Sequence, residues 1–546
     1  MPAPELEWKA YEISAGAGAA APRALEAAGP PAATVTVEIP DLSAFPTPRD
    51  KARILLETAA EVEHALLVEY LYAAFSLKSV DEVTDPDEQS ALGEWFGVLH
   101  RTAREEMGHL MTAQNLLLAI GLPPNLERED FPPRKDLYPF KLHLEPLTQR
   151  SLAKYVVAEA PQNALGVEDI VALATQATGT RVHRVGVIYG MLGIVFSTPA
   201  EIAAGEPEHA SWNAALRGLM DAAHQQAPAA SWHLDDAAID ASSLAFQGTP
   251  DNWPGGGVRI HQIADRAAAR EAIRDVAEQG EGLTGADADS HFGRFRAMYR
   301  GSPGVVPFPP AGGDWVPARA VPTDSQPGEI TQPRTRRWAQ LADLRYALLL
   351  GFIEHYLRTS VEDDRANLAG WAIGEMFTLG QLAPVLAELP LTGGVAALPF
   401  SLPASLHLPA TDDERWELQR ARTAAAMTHA QEMQADPTDA DDPTLAGLLE
   451  TDTARLKLMH GDTAPVPTTS FARDVLPLFR PVDIAHMNDQ VGMDLTDIDV
   501  VRSSAASISQ RMKGLGGRRM PPPPDPPLSD AQIALFDRWV AEGFPP

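Results

Sequence analysis

Three ionisable residues, Glu63, Glu106 and His109, fall on the apolar stripes of two long segments with helical periodicity. Alternating steps of four and three residues place Glu63 on one line with apolar and aromatic neighbours, namely Leu56, Ala60, Leu67, Tyr70 and Ala74. Glu106 and His109 follow the same alternation in the second segment. A carboxylate on such a buried line loses its hydration, so it needs a cation, a proton or a hydrogen-bond network to offset the loss.

The spacing of Glu106 and His109 suits a metal ion. One helical turn separates them, which brings a carboxylate and an imidazole to a shared ion, and Glu63 on the neighbouring helix is the natural third ligand. The alternative interpretation is a surface pair or a polar network without metal. We favour the metal. Other ionisable residues nearby lie off the stripe and are interpreted as solvated or supporting residues: Glu61, His64, Glu69 and Glu105.

Composition excludes several classes of protein. The 546 residues are 45% hydrophobic and carry 44 basic against 74 acidic side chains, a net charge of −30, so we expect neither nucleic acid nor an anionic membrane as partner. Cysteine is absent, which excludes thiolate zinc sites, iron–sulfur clusters and covalent haem. The longest apolar run, residues 185–196, is too short to cross a bilayer. We therefore expect a cytoplasmic protein.

The distribution of helical periodicity, proline and glycine predicts a mainly α protein with five parts. They are an Ala/Pro-rich arm at 1–45, a metal-binding bundle with a long insertion at 46–300, a linker at 301–335, a second helical bundle at 336–465 and a small C-terminal module at 466–546. The second bundle contains IEHYL (353–357) and Glu375, neither with an E-x-x-H partner. We interpret both as core edge or surface, and the bundle as a scaffold.

Several motifs make the chain resemble a known family. Glu63 followed seven residues later by Tyr70, and then EMGH, resembles the first helix pair of the ferritin-like superfamily. Over about residues 50–400 the chain resembles the ferritin-like family of iminophenyl-pyruvate dimer synthases, in the segments AAEVEHALLVEYLYAAFSL, EEMGHLMTAQNLLLAIG, AEQGEGLTGADADSHFGRF and LAGWAIGEMFTLGQLAPVLAELP. Relatives in that family join two amino-acid-derived imines in violacein, rebeccamycin and staurosporine assembly. The resemblance implies a ferritin-like four-helix bundle.

The same resemblance adds Glu281 and His291 to the expected metal ligands, with Glu278 as a substitute. Spacing alone does not pair Glu281 with His291, since they lie on either side of a Gly-rich loop. Without a metal, Glu281 is a helix-end residue and His291 a neighbour of a helix N-cap.

The third helix departs from the family pattern. Where the family commonly reads like TIGEFY, this chain reads RVGVIY, with Val187 at the position expected for a glutamate. Glu159 or His183 could compensate. A site with fewer carboxylates would hold one metal ion, or two with unequal coordination.

The C-terminal module resembles a small cytochrome-c-like domain without its haem-attachment cysteines, the pattern falling on residues 482–486. His486 and Met520 occupy positions like the two axial ligands. We prefer a haem-less packing module, and non-covalent haem held by these two residues is the alternative.

These observations predict a non-haem iron-dependent oxidoreductase of the ferritin-like type in bacterial secondary metabolism. Its substrate would be a small molecule derived from an amino acid, and the reaction imine or 2-oxo acid coupling or oxidation. The expected cofactor is one or two iron ions, with manganese an alternative, and a homodimer is expected from the exposed helix faces. The competing prediction is a metal-binding or structural ferritin-like protein without catalysis. No general base is assigned.

Overall fold

The structure of the protein is a computed structural model. It describes residues 7–14, 34–128, 142–161, 164–179, 182–205, 207–253, 258–281, 288–310, 312–313, 315–325, 330–402, 406, 408–459, 469–515, 519–522 and 527–545. The chain forms two compact units, Met1–Arg319 and Ala320–Pro546. Both are built mainly of α-helices, which confirms the predicted fold class.

The N-terminal unit begins with two antiparallel strands, β1 (Trp8–Ser14) and β2 (Thr34–Pro40), paired from Trp8 opposite Pro40 to Ser14 opposite Thr34. These strands lie within the predicted Ala/Pro-rich arm at 1–45. Strand β2 alternates buried Val37 and Ile39 with more exposed residues, the period of a strand with one buried face. The Ala/Pro-rich tract between the strands lies outside the described residues.

Nine helices of this unit are described. They are α1 (Pro48–Ser76), α2 (Pro86–Ala119), α3 (Gln149–Ala158), α4 (Glu168–Thr178), α5 (Gly186–Val195), α6 (Pro199–Ala204), α7 (Ala210–Gln226), α8 (Arg266–Glu281) and α9 (His291–Arg300). Short 3₁₀ turns occur at Val80–Glu82, Pro207–His209, Ala229–Ser231, Asp236–Ala238 and Ala241–Ala245. No helix in the described part of the chain combines the length and the apolar character needed to cross a bilayer.

The two long helices begin at strong caps. Thr47 and Asp50 form a reciprocal capping box at the start of α1, with Pro48 as its first residue. Asp85 caps α2 through the N–H of Asp87. The two helices pack against each other along their length. They form one half of a four-helix bundle.

The other half of the bundle is built from helices that are interrupted. Helix α3 packs on α9, and α5 packs on α8 and α1. The N–H of Val185 donates to the carbonyl of Ala158 at 3.1 Å, so the chain resumes at α5 beside the point where α3 ended. Residues 159–184, which include α4, are inserted there. The fourth position is likewise shared by α8 and α9. Both interruptions occur where ionisable residues lie.

The C-terminal unit contains eight described helices and a short β-pair. They are α10 (Pro333–Tyr356), α11 (Glu362–Glu388), β3 (Pro390–Leu391), β4 (Gly394–Val395), α12 (Asp412–Gln434), α13 (Pro443–Leu458), α14 (Pro481–Val491), α15 (Ile498–Ser503), α16 (Ala505–Met512) and α17 (Asp530–Ala541). A π-helical turn at Phe471–Val475 and a 3₁₀ turn at Leu476–Leu478 precede α14. Helices α10 to α13 pack together as the second bundle.

Glu375 is fully buried in that bundle, so its interpretation as core edge or surface is wrong. Arg345 donates two hydrogen bonds to Asp452, at 2.8 and 2.6 Å, and lies 3.5 Å from Glu375. Arg455 is also hydrogen-bonded to Glu375. Two guanidinium groups thus neutralise two buried carboxylates without a metal ion. The 353–357 segment is buried as well.

The module at the C-terminus packs around an aromatic and aliphatic core that includes Phe536 and Trp539. Met520 packs against this core, whereas His486 on α14 is exposed. The two residues that the sequence suggested as axial ligands therefore lie in different environments, one against the core and one on the surface.

Candidate metal centre

Five ionisable side chains converge inside the N-terminal bundle, all of them buried: Glu63, Glu106, His109, Glu159 and His291. Continuous helices carry the first three, Glu63 on α1 and the other two on α2. Glu159 is the C-cap of α3, and His291 is the first residue of α9 behind the N-cap Ser290. The two interruptions in the bundle thus each supply one residue of the cluster.

His109 and Glu63 form one side of the cluster. Nδ1 of His109 is hydrogen-bonded to Oε2 of Glu106 at 2.7 Å and lies 3.5 Å from Oε2 of Glu63. Its other ring nitrogen, Nε2, lies 3.1 Å from Oε1 of Gln279 on α8. Nδ1 of His109 therefore faces the two carboxylates, and the side-chain amide of Gln279 contacts the opposite nitrogen of the ring.

His291 and Glu159 form the other side. Nδ1 of His291 lies 3.0 Å from Oε1 of Glu106 and 3.7 Å from Oε2 of Glu159. Glu106 consequently faces His109 with one oxygen and His291 with the other. This places Glu106 between two groups, each with one further carboxylate and one imidazole.

Two buried tyrosines hold the outer carboxylates. The hydroxyl of Tyr189 on α5 donates to Oε1 of Glu63 at 2.5 Å, and that of Tyr70 on α1 donates to Oε1 of Glu159 at 2.6 Å. Burial and the nearby carboxylates raise the pKa of both phenols well above the usual value, so both remain protonated donors. Each tyrosine occupies one oxygen of its glutamate and leaves the other oxygen to the cluster.

Burial and neighbouring charges shift the pKa values of the groups in the cluster. Burial and the charge of Glu106 raise the pKa of Glu63 to about 8. Burial would also raise the pKa of Glu106, but the imidazolium groups of His291 and His109 outweigh it and hold that pKa well below its usual value. Conversely, burial opposes the charged form of His109, yet Glu106 and Glu63 raise its pKa to about 10. Two imidazolium ions therefore neutralise the buried acids.

Three buried atoms of the cluster make no well-directed hydrogen bond, although ionic partners lie near them: Oε2 of Glu63, Oε1 of Glu106 and Nδ1 of His291. Buried polar atoms without a directed hydrogen bond are costly, and a bound cation would offset that cost here. Ligand atoms of Glu106, His109 and His291 also lie within 4.8 Å of one another, the one such group of three among the described residues. Carboxylate and imidazole donors suit iron, manganese or zinc. The residues present thus fit a metal ion.

The remaining candidate ligands lie elsewhere or outside the description. Glu281 ends α8, but its side chain is not among those described. Glu278 pairs with Nδ1 of His209 at 3.0 Å, and His183 stacks on Trp8 and lies 3.1 Å from Glu38. Of the two substitutes weighed for the missing third-helix glutamate, the structure brings Glu159 to the cluster and places His183 against the N-terminal strands. Val187 itself is buried on α5.

Sequence reasoning missed or misplaced several supporting residues. Of the two interpretations offered for Glu105, solvated or supporting, the structure agrees with the second: the residue is buried, and its Oε2 lies 3.0 Å from Nε2 of His291. His64 and Glu69 are buried too. Tyr189, two residues after Val187, carried no signal in the sequence, because neither its partner nor its depth follows from local spacing. A signal for Glu105 was available: Arg101 stands four residues earlier and pairs with it.

The arrangement of the described helices in the N-terminal unit, with a buried cluster between them, is similar to a ferritin-like helical bundle. Residues 56–300 match the protein-family model described as Ferritin-like. Dichlorochromopyrrolate synthase of Lentzea aerocolonigenes is 29% identical over a 142-residue alignment that covers 22% of this chain and 14% of that protein. The similarity thus spans a small part of that relative. No solved structure gives a significant match to the chain.

Proposed function

We propose that the protein is a non-haem, metal-dependent oxidoreductase that acts on an amino-acid-derived imine or 2-oxo acid. The observation that carries the proposal is the buried cluster of three carboxylates and two imidazoles around Glu106, in which three ligand atoms make no well-directed hydrogen bond. The name of the similar protein, a synthase, supports a biosynthetic enzyme, and the substrate class follows from the resemblance to the iminophenyl-pyruvate dimer synthases.

Five buried side chains would hold one or two metal ions: Glu63, Glu106, His109, Glu159 and His291. When bound, iron would supply one-electron redox chemistry toward dioxygen or a peroxide and act as a Lewis acid toward a substrate carboxylate. Tyr189 and Tyr70 keep Glu63 and Glu159 oriented, and the burial of all five side chains excludes bulk water from the centre.

The coupling of two imines requires an oxidant. Joining two imines through one new carbon–carbon bond removes two hydrogen atoms, so an oxidant such as dioxygen or hydrogen peroxide must accept two electrons and two protons. The protein's part in that step would be to hold both substrate molecules in a reactive orientation beside the metal centre.

Metal analysis tests the proposal. Protein purified aerobically should contain one to two equivalents of iron, and Glu106→Ala and His109→Ala should each lose most of it. Glu278→Ala is the matched control, because Glu278 contacts a histidine outside the cluster. Folding is followed by circular dichroism in every variant.

An activity assay tests the substrate class. Iron-loaded protein is incubated with an aromatic 2-oxo acid, ammonium and either dioxygen or hydrogen peroxide, and products are measured by mass spectrometry. Coupled or oxidised products that disappear in Glu106→Ala support the enzyme. Retained iron without turnover of these substrates would favour the non-catalytic alternative, and a folded, metal-free wild type that cannot be loaded would refute the metal centre.

A further inference from the structure

Adjacent residues of α2 contact the two ring nitrogens of His291. Glu106 faces Nδ1 at 3.0 Å, and Glu105 lies on the opposite side, with Oε2 3.0 Å from Nε2. His291 is fully buried between them. Only the Glu106 side belongs to the proposed metal centre, so Glu105 contacts the ligand from behind.

Two arginines hold Glu105 in place. Arg294, one turn after His291 on α9, donates to both oxygens of Glu105 at 2.5 and 3.3 Å. Arg101 on α2 donates to Oε1 at 3.1 Å. Both arginines also pair with Asp289, at 3.1 Å from Arg101 and 3.3 Å from Arg294. This charged cluster joins the start of α9 to α2 beside His291.

We propose that Glu105 is a positioning residue that selects the ring nitrogen with which His291 binds metal. This inference rests on the proposed metal centre. An ionised carboxylate can only accept hydrogen bonds, so the nitrogen facing Glu105 must carry the proton. Nε2 is that nitrogen, and Nδ1 is left to turn its lone pair toward Glu106 and Glu159 when a metal replaces the bound proton.

The contrast with His109 shows what is particular to Glu105. Gln279 lies behind His109 at 3.1 Å, but an amide can turn either its oxygen or its nitrogen toward the ring. Glu105 has no such choice, and Arg294 and Arg101 prevent it from turning away. His291 stands at the beginning of a helix next to an interruption, where backbone hydrogen bonding alone constrains it least. The charged cluster supplies the missing constraint.

Cobalt(II) titration of the full chain, cleared of metal beforehand, tests the role of Glu105. Glu105→Ala should weaken Co²⁺ binding about 10- to 100-fold, the usual cost of losing such a supporting contact. Glu105→Gln should lose less, because its amide oxygen still accepts from Nε2. The matched control is Glu278→Gln, which alters a glutamate 3.0 Å from His209 outside the centre and should bind Co²⁺ like the wild type.

A second readout distinguishes positioning from a general effect on folding. ¹⁵N-histidine spectra of the Zn²⁺-loaded wild type should show two buried histidines, His109 and His291, protonated on Nε2 and bound through Nδ1, and the His291 signature is the one that disappears in His291→Gln. Glu105→Ala should lose this signature, and Glu105→Gln should keep it. Should Glu105→Ala fail to fold, a partial loss of affinity in Glu105→Gln with the signature retained still supports the role.

Two results separate the inference from the function on which it depends. Wild-type affinity and an unchanged histidine signature in Glu105→Ala and Glu105→Gln would overturn the positioning role while the metal centre stands. A wild-type protein that binds no Co²⁺ would overturn both.

Discussion

At the scale of single residues, the buried cluster depends on polar atoms whose partners are specific. Glu63 accepts from Tyr189 with one oxygen and turns the other toward His109, and Glu159 accepts from Tyr70 and turns its other oxygen toward His291. Each outer carboxylate is therefore oriented by one phenol. The tyrosines act as fixed donors because burial keeps them protonated.

Removing the Tyr189 hydroxyl tests how much its hydrogen bond to Glu63 contributes to stability. In Tyr189→Phe, Oε1 of buried Glu63 loses its donor, and we expect the metal-free protein to lose about 1–3 kcal/mol of unfolding free energy. Tyr155→Phe is the control, since the buried hydroxyl of Tyr155 makes no well-directed hydrogen bond among the described residues. It should be nearly neutral. Urea denaturation measures both, and equal losses in the two variants would contradict the role given to Tyr189.

At the scale of secondary structure, the backbone of a loop packs directly against helix α2, which carries Glu106 and His109. A Cβ atom on Gly108 would stand 2.5 Å from the carbonyl oxygen of Arg259. The loop is tied there by Asn115, whose amide donates to the carbonyls of Gly248 and His261 at 2.9 and 2.8 Å. Glycine is needed at position 108 for close approach of two backbones.

Gly108→Ala should therefore be harmful, although alanine favours helices. We expect overpacking to cost about 1–3 kcal/mol and to displace the neighbouring His109, which lowers Co²⁺ affinity. Gly97→Ala on the same helix meets no atom within 4 Å. It should gain up to about 1 kcal/mol from helix propensity and bind metal normally. Denaturation and Co²⁺ titration check both variants, and a Gly108→Ala protein as stable as Gly97→Ala would rule out the contact with Arg259.

At the scale of the whole molecule, the two units neutralise buried charge by different means. The N-terminal bundle sets carboxylates against two imidazolium groups, whose protons a metal ion can replace. The C-terminal bundle sets Glu375 and Asp452 against Arg345 and Arg455, and a guanidinium cannot give up its proton. We expect metal removal to destabilise the first unit only.

The C-terminal unit should also respond to acid through His429. Its Nε2 donates to the carbonyl of Arg337 at 2.9 Å. Burial, and then the charge of Arg502, lower its pKa to about 3. In the unfolded chain the pKa is near 6.5, so the unfolded state takes up a proton first as the pH falls. The stability that neutral His429 provides is complete above pH 6.5 and is lost progressively toward pH 3.

Denaturation at pH 7 and pH 5 measures this effect. The wild type should lose about 2 kcal/mol more unfolding free energy over that interval than His429→Gln. The exposed His486 provides the control, and His486→Gln should follow the wild type. An identical pH dependence in the wild type and His429→Gln would show that His429 does not titrate as its burial implies.

The sequence by itself determined the part of the centre that lies on continuous helices. Glu63, Glu106 and His109 could be placed because the helical period alone sets which face they share. The same periodicity predicted the mainly α fold. The strand at 34–40 was not predicted, because its short alternation of buried and exposed residues follows a tract rich in proline and alanine.

The sequence pointed to His291 only through the family resemblance and to Glu159 only as one of two substitutes, and the tertiary structure decided that both join the cluster. Glu159 and His291 stand at interruptions in the third and fourth helices, where no regular period connects them to Glu106, and Tyr189 reaches Glu63 from 126 positions away along the chain. The burial of Glu105 and Glu375 was also decided at this level. A local pattern specifies which face a side chain occupies, but the packing of other helices on that face determines its depth and its partners.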